Sequence, residues 1–168
     1  MGSEMCIRDS PRRGNSFVTK KIVESIRQIL SGEIKKMKIG NLNSKRDWGF
    51  APEYVEAMWL MLQKDKPTDL VIATGETHSV REFIEEAFGI AGFKIKWSGI
   101  GINEVGKCKR TNKVLVEVDP YYFRPTEVNF LKGDSSKAKK YLGWEAKTNF
   151  KKLVKIMMNH ELRKLNSQ

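Results

Sequence analysis

A chain of 168 residues with 40% hydrophobic content has the length and composition of one ordinary globular domain with its own core. No apolar run approaches the ~18 residues a membrane-spanning helix needs, and Cys6 and Cys108 sit in no Cys-x-x-Cys or Cys/His spacing, which sets aside a membrane protein, a disulfide framework and a structural metal site. The formal charge of +11 raises the question of a polyanionic partner, but the excess is scattered as lysines on helix faces without a nucleic-acid motif, so a solvated surface of a cytoplasmic protein is expected and no nucleic-acid partner.

Residues 1–10 show neither hydrophobic period nor capping residues and stop where a patterned sequence begins at Pro11. They are expected to be a non-native leader, outside a domain of residues 11–168. Val18, Ile22, Ile26, Ile29 and Leu30 recur at helical spacing and Gly32 supplies a stop, which predicts the first helix. Residues 38–42 predict a short strand leaving through a turn, with Arg46-Asp47-Trp48-Gly49 in a loop. A second helix follows Ala51-Pro52, with Tyr54, Val55, Met58, Trp59, Met61 and Leu62 on a broad apolar face.

The apolar run 70–74 reads as a buried strand ending at Gly75. Ser79 precedes Glu82 by three, a capping box that predicts a helix over 80–88. Residues 93–97 alternate as a half-buried strand does, and a glycine-rich stretch, 99–106, leads to a strand over 114–118 that Asp119-Pro120 breaks. Asp134 is placed to cap a helix over 135–142 that Gly143 closes, and Phe150, Leu153, Val154, Met157, Met158, Leu162 and Leu165 stripe the last helix. The sum is α/β without the long β-α-β rhythm of a complete doubly wound sheet. The Gly-x-Gly-x-x-Gly fingerprint is absent, since Gly99-Ile100-Gly101 lacks the third glycine.

Arg124-Pro125-Thr126-Glu127 carries the most chemistry. Proline suits a first helical position, so Arg124 is expected at a helix cap with Glu127 just inside. The guanidinium would clamp a diphosphate while the carboxylate accepts from sugar or ribose hydroxyls. The plain alternative is a glutamate satisfying backbone donors at a helix entrance. Trp48 is expected as a core anchor and Asp47 as a brace for Arg46 or for a turn backbone. His78 and His160 carry no partner pattern and receive no catalytic role.

Four patches, Pro11-Arg12-Arg13-Gly14 with Phe17 to Lys21, Gly40-Asn41-Leu42, Arg46-Asp47-Trp48-Gly49 and Arg124-Pro125-Thr126-Glu127, occur in this order ahead of Tyr141-Leu142-Gly143-Trp144. Together they resemble the C-terminal half of the GDP-mannose 4,6-dehydratase family, within the extended short-chain dehydrogenases/reductases. The resemblance implies the substrate-binding part of that fold, with the N-terminal Rossmann part largely absent. It further implies a homo-oligomeric, NADP-dependent lyase that oxidises C4 of the mannose of GDP-mannose, eliminates water across C5 and C6 and returns the hydride to C6. By position, Arg13 matches a cofactor contact. Lys21 matches a lysine near the diphosphate, Arg46, Arg124 and Glu127 match residues that hold the GDP moiety, and Thr19, Asn41 and Leu42 match the lining of the same pocket.

The family's catalytic Thr or Ser, Glu and Tyr-x-x-x-Lys have no counterpart, because Tyr54 and Tyr141 are followed four residues later by Met58 and Glu145. No catalytic residue is therefore assigned, and the isolated chain is expected to be without turnover. Arg8 stands where the family carries a cofactor-contacting His, in keeping with a foreign leader. If a missing half normally covers residues 54–62 and 70–73, those faces should be exposed here. A fragment of another nucleotide-sugar epimerase or reductase, and a basic nucleic-acid module, remain the alternatives.

Overall fold

The computed structural model describes the backbone of residues 3–5 and 7–166 and the side chains of residues 7–165. Cys6 lies outside the described residues. In chain order the elements are β1 (Ser3–Met5), β2 (Ile7–Asp9), α1 (Val18–Ser31), β3 (Met37–Ile39), β4 (Lys45–Arg46), β5 (Trp48–Phe50), α2 (Ala51–Leu62) and β6 (Leu70–Ile72). They continue with β7 (His78–Ser79), α3 (Val80–Ile90), β8 (Ile95–Ser98), β9 (Val105–Cys108), β10 (Val114–Val118), α4 (Ser136–Leu142) and α5 (Phe150–Asn166).

Helices α1, α3 and α5 pack on one another and against a sheet of order β3-β10-β9-β8, in which β3 runs parallel to β10 and the other neighbours are antiparallel. The amphipathic spacing read in α1 delivers Ile22, Val23 and Ile26 to this core, and α5 adds Leu153, Val154, Met157 and Met158. Gly32 ends α1 in the left-handed region at φ 81°, where a side chain is disfavoured. Trp48 anchors the middle of the core, edge-on to Phe83 and stacked on Phe150. A second, smaller core joins α2, β6 and α4 through Tyr54, Ala57, Leu70, Ile72, Ala138 and Trp144.

Long-range pairing explains where the structure departs from the sequence expectations. The first ten residues, set outside the fold above, supply β1 and β2, which pair in parallel with β6 and β5. The expected 46–49 loop is instead β4 and β5 on either side of Asp47, because Ile7 and Asp9 register with Trp48 and Phe50. The glycine-rich stretch ends in β9, where Gly106 lies tight under Trp97 and Val116 and pairs on both edges. Pro125 opens a turn rather than a helix, with the Glu127 N–H donating to the Arg124 carbonyl at 3.3 Å. The segment is held extended beside β4, where Lys45 N–H donates to Asn129 and Leu131 N–H to the Lys45 carbonyl, and that pairing displaces a helix.

The apolar face of α2 is split. Tyr54, Ala57 and Met61 are buried, while Val55, Trp59 and Leu62 are 59%, 59% and 74% exposed. Leu70, Ile72 and Ala73 are buried within the chain itself.

Candidate functional site

An open cavity of about 280 Å³ lies where the first turn of α1, the exit of β3 and the 119–131 segment meet. Val18, Ile39 and Val80 give it an apolar floor, and Lys21, Asn41, Ser44, Arg46, Arg124 and Glu127 give it polar walls. The lining carries Lys21, Arg46 and Arg124 against the single carboxylate of Glu127, a balance that suits an anion with hydroxyl donors.

Glycine at 40 makes the close approach possible. A Cβ there would sit 2.2 Å from the Tyr122 carbonyl oxygen, so only the bare backbone lets the 119–127 loop lie against the end of β3. Asn41 then fixes that loop, donating from Nδ2 to the Arg124 carbonyl and accepting from the Arg124 N–H, each at 2.8 Å. Arg46 Nη1 donates to the Lys45 carbonyl at 2.9 Å, and its Nη2 donates to Glu127 Oε1. The two groups expected to hold a ligand thus hold each other across the cavity. Lys21 Nζ rests 3.1 Å from the centre of the Tyr122 ring.

Five of the eight residues singled out in the sequence, Lys21, Asn41, Arg46, Arg124 and Glu127, come together in this lining. Three do not. Thr19 is buried and donates its hydroxyl to Asp9 Oδ1 at 2.8 Å. Leu42 belongs to the core and its carbonyl accepts from Arg81 N–H. Arg13 lies outside the cavity, its guanidinium stacked 3.6 Å over Phe17, donating to the Arg8 carbonyl at 2.9 Å and 3.6 Å from Asp9.

Asp47 proves to be a brace for backbone, not for Arg46. Its carboxylate accepts from the N–H groups of Thr74, Gly75 and Gly133 and from the Thr74 hydroxyl, tying β6 to the 131–134 segment behind the cavity. Sequence reasoning passed over three residues. Asp9, fully buried, orients both Thr19 and Arg13, and burial pushes its carboxyl up against the lowering pull of Thr19 and Arg13. Ser44 lines the cavity with a buried Oγ that finds no hydrogen-bond partner among the described residues. Tyr122 also lines the cavity, and its ring carries the Lys21 ammonium. None sits in a spacing that marks it locally, although Tyr122 lies two residues ahead of the Arg-Pro-x-Glu motif.

Arg13, the residue that the resemblance would give to a cofactor, has its guanidinium engaged by Asp9, the Arg8 carbonyl and the Phe17 ring. Among the described residues no cluster of His, Cys, Asp and Glu suits a metal ion.

A family model described as GDP-mannose 4,6 dehydratase matches residues 5–157. The chain is 54% identical to the GDP-mannose 4,6 dehydratase of Homo sapiens over 154 residues, covering 92% of this chain and 41% of that protein. It is 53% identical to the GDP-mannose 4,6 dehydratase of Dictyostelium discoideum over 154 residues, again covering 92% of this chain and 43% of the relative. The chain therefore spans well under half the length of these curated relatives. Among solved structures it is similar to RMD from Pseudomonas aeruginosa complexed with NADPH, with a TM-score of 0.77 and 15% identity over 96% of this chain and 48% of that one, a likeness that shows the α/β fold.

Proposed function

The chain belongs to the GDP-mannose 4,6-dehydratase family, and from that premise we propose that it is the nucleotide-sugar-binding part of such an enzyme. The complete enzyme would convert GDP-mannose to GDP-4-keto-6-deoxymannose with NADP, as a cytoplasmic homo-oligomer. The observation that carries the reading is the convergence of Lys21, Arg46, Arg124 and Glu127 on one cavity. Arg124 and Lys21 meet the diphosphate. Arg46 leaves Glu127 to join them, and the freed carboxylate accepts from guanine N–H or ribose hydroxyl groups. Asn41 contributes indirectly, by fixing the backbone that carries Arg124. In this arrangement the protein orients the sugar and the chemistry belongs to groups that this chain does not carry.

Calorimetric titration of the 168-residue chain with GDP tests the reading. Saturable binding is expected, weakened roughly tenfold or more by Arg124→Ala or Arg46→Ala, and UDP should compete poorly. Equal competition by UDP would favour the epimerase or reductase reading. Binding that collapses steeply with salt for any nucleic acid, with no response to GDP, would favour the basic-module reading. Incubation with GDP-mannose and NADP is expected to yield no 4-keto product, and its appearance would overturn the expected inactivity.

A further inference from the structure

A second cavity, about 320 Å³, lies between Pro11 and the outward face of α5, and it shares no lining residue with the cavity of Arg46 and Arg124. Lys152, Lys155, Ile156, Asn159, His160 and Arg163 form its helical wall. Their spacing puts them on one face of α5, opposite the stripe of Leu153, Val154, Met157 and Met158 that enters the core. From Lys152 to Arg163 this face extends ~16 Å along the helix. Among the described residues no carboxylate lines it.

Like charges three or four residues apart on a helix destabilise it. A helix that sets Lys152 and Lys155 side by side therefore carries an electrostatic penalty that an anion would relieve. The neighbouring cavity at the start of α5 is acidic in balance, with Glu76, Glu82, Glu85 and Glu86 in its lining against Lys151 and His78, so the two cavities differ in the sign of their prevailing charge.

The groove is also built rather than incidental. Buried Lys20 donates to the Pro11 carbonyl at 3.0 Å and is paired with fully buried Glu161 on α5, so one side chain ties both walls together. Pro11 and Ile156 offer apolar contact between the cations, and the Asn159 amide and His160 ring add hydrogen-bonding groups.

We propose that this groove is a second anion site that takes a ligand bearing two or more adjacent phosphate groups, held by Lys152 and Lys155. Inorganic polyphosphate and the phosphate chain of a nucleotide share that chemistry. The test uses the full chain, titrated calorimetrically with inorganic tripolyphosphate and, in a separate arm, with GDP, at low ionic strength. Tripolyphosphate binding is expected to weaken about tenfold or more in the double variant Lys152→Gln/Lys155→Gln and to persist in Arg124→Ala. Both lysines are exposed and repel each other, so the variant should melt no lower than the wild type, which is measured alongside. Backbone amide shifts on adding tripolyphosphate should cluster in residues 152–163. A GDP isotherm with a second, Lys152/Lys155-dependent step would assign the site to nucleotide phosphates, and a single Arg124-dependent step would assign it to inorganic polyphosphate. Tripolyphosphate binding that is unchanged in the double variant, or lost equally in Arg124→Ala, would overturn the proposal.

Discussion

Gly40 decides whether the cavity exists. A methyl group there meets the Tyr122 carbonyl at 2.2 Å, and backbone cannot yield as a flexible side chain does. Gly40→Ala is expected to destabilise the chain by about 1–3 kcal/mol and to weaken GDP binding by roughly tenfold, because the displaced loop carries Arg124 and Glu127. Thermal melts and calorimetry check the two effects separately. Lys20 and Glu161 pose a different residue-scale question. Burial alone would push the Glu161 carboxyl up, but the hydrogen bonds it accepts from Lys20 and Lys164 outweigh it and hold the group well below the ordinary carboxylate range. A carboxyl lowered on folding adds stability that is complete above its unfolded value and is lost as pH falls through its folded one. The chain should therefore lose melting temperature as pH falls below about 4.5. Asp9, raised by burial, works in the opposite sense and softens that loss. Lys20→Met should cost about 3–5 kcal/mol at neutral pH, with the gap to the wild type narrowing in acid as Glu161 takes up its proton. A gap independent of pH would mean that the methylene stem of Lys20, not its charge, holds the helices together.

Elements with local signals were legible in the sequence. The Ser79 hydroxyl accepts from Glu82 N–H and the Glu82 carboxylate accepts from Ser79 N–H, the reciprocal arrangement that the three-residue spacing announced. Ser79→Ala should accordingly cost about 1 kcal/mol, read as a drop in denaturation midpoint without a change in slope. Gly32 and Gly143 end their helices at φ 81° and 69°, and β10 spans the residues that its β-branched run marked. What escaped was set by partners far along the chain. β5 exists because residues 7–9 lie beside it, β9 because it is sandwiched between β8 and β10, and the Arg-Pro-x-Glu motif turns because β4 holds its continuation extended. The same holds within the candidate site. Arg46, Arg124 and Glu127 were readable from motif chemistry, whereas the commitment of Thr19 to Asp9 and the unpartnered hydroxyl of Ser44 follow only from packing.

At the scale of the whole molecule, the chain builds a main core and a smaller second one and leaves an apolar stripe of α2 outside both. Val55, Trp59 and Leu62 recur at helical spacing on α2 and face outward, while the β6 region expected to be bare is buried. That face narrows the expected hydrophobic patch to a single ridge, of the kind that promotes association. Sedimentation at rising concentration should show self-association of the isolated chain, and Trp59→Glu should shift it toward monomer while leaving the melting temperature within about 0.5 kcal/mol-equivalent of wild type, as surface changes do. Concentration-independent monomer in both proteins would refute a sticky ridge.

Trp59 also gives the molecule a built-in optical reporter. Trp48 and Trp144 are enclosed and Trp97 is half-buried, whereas Trp59 is largely exposed, so its emission should be the reddest of the four and the most open to quenching by acrylamide. Any polypeptide that settles over α2 would turn that light toward the blue, and the colour change would time its arrival without a label.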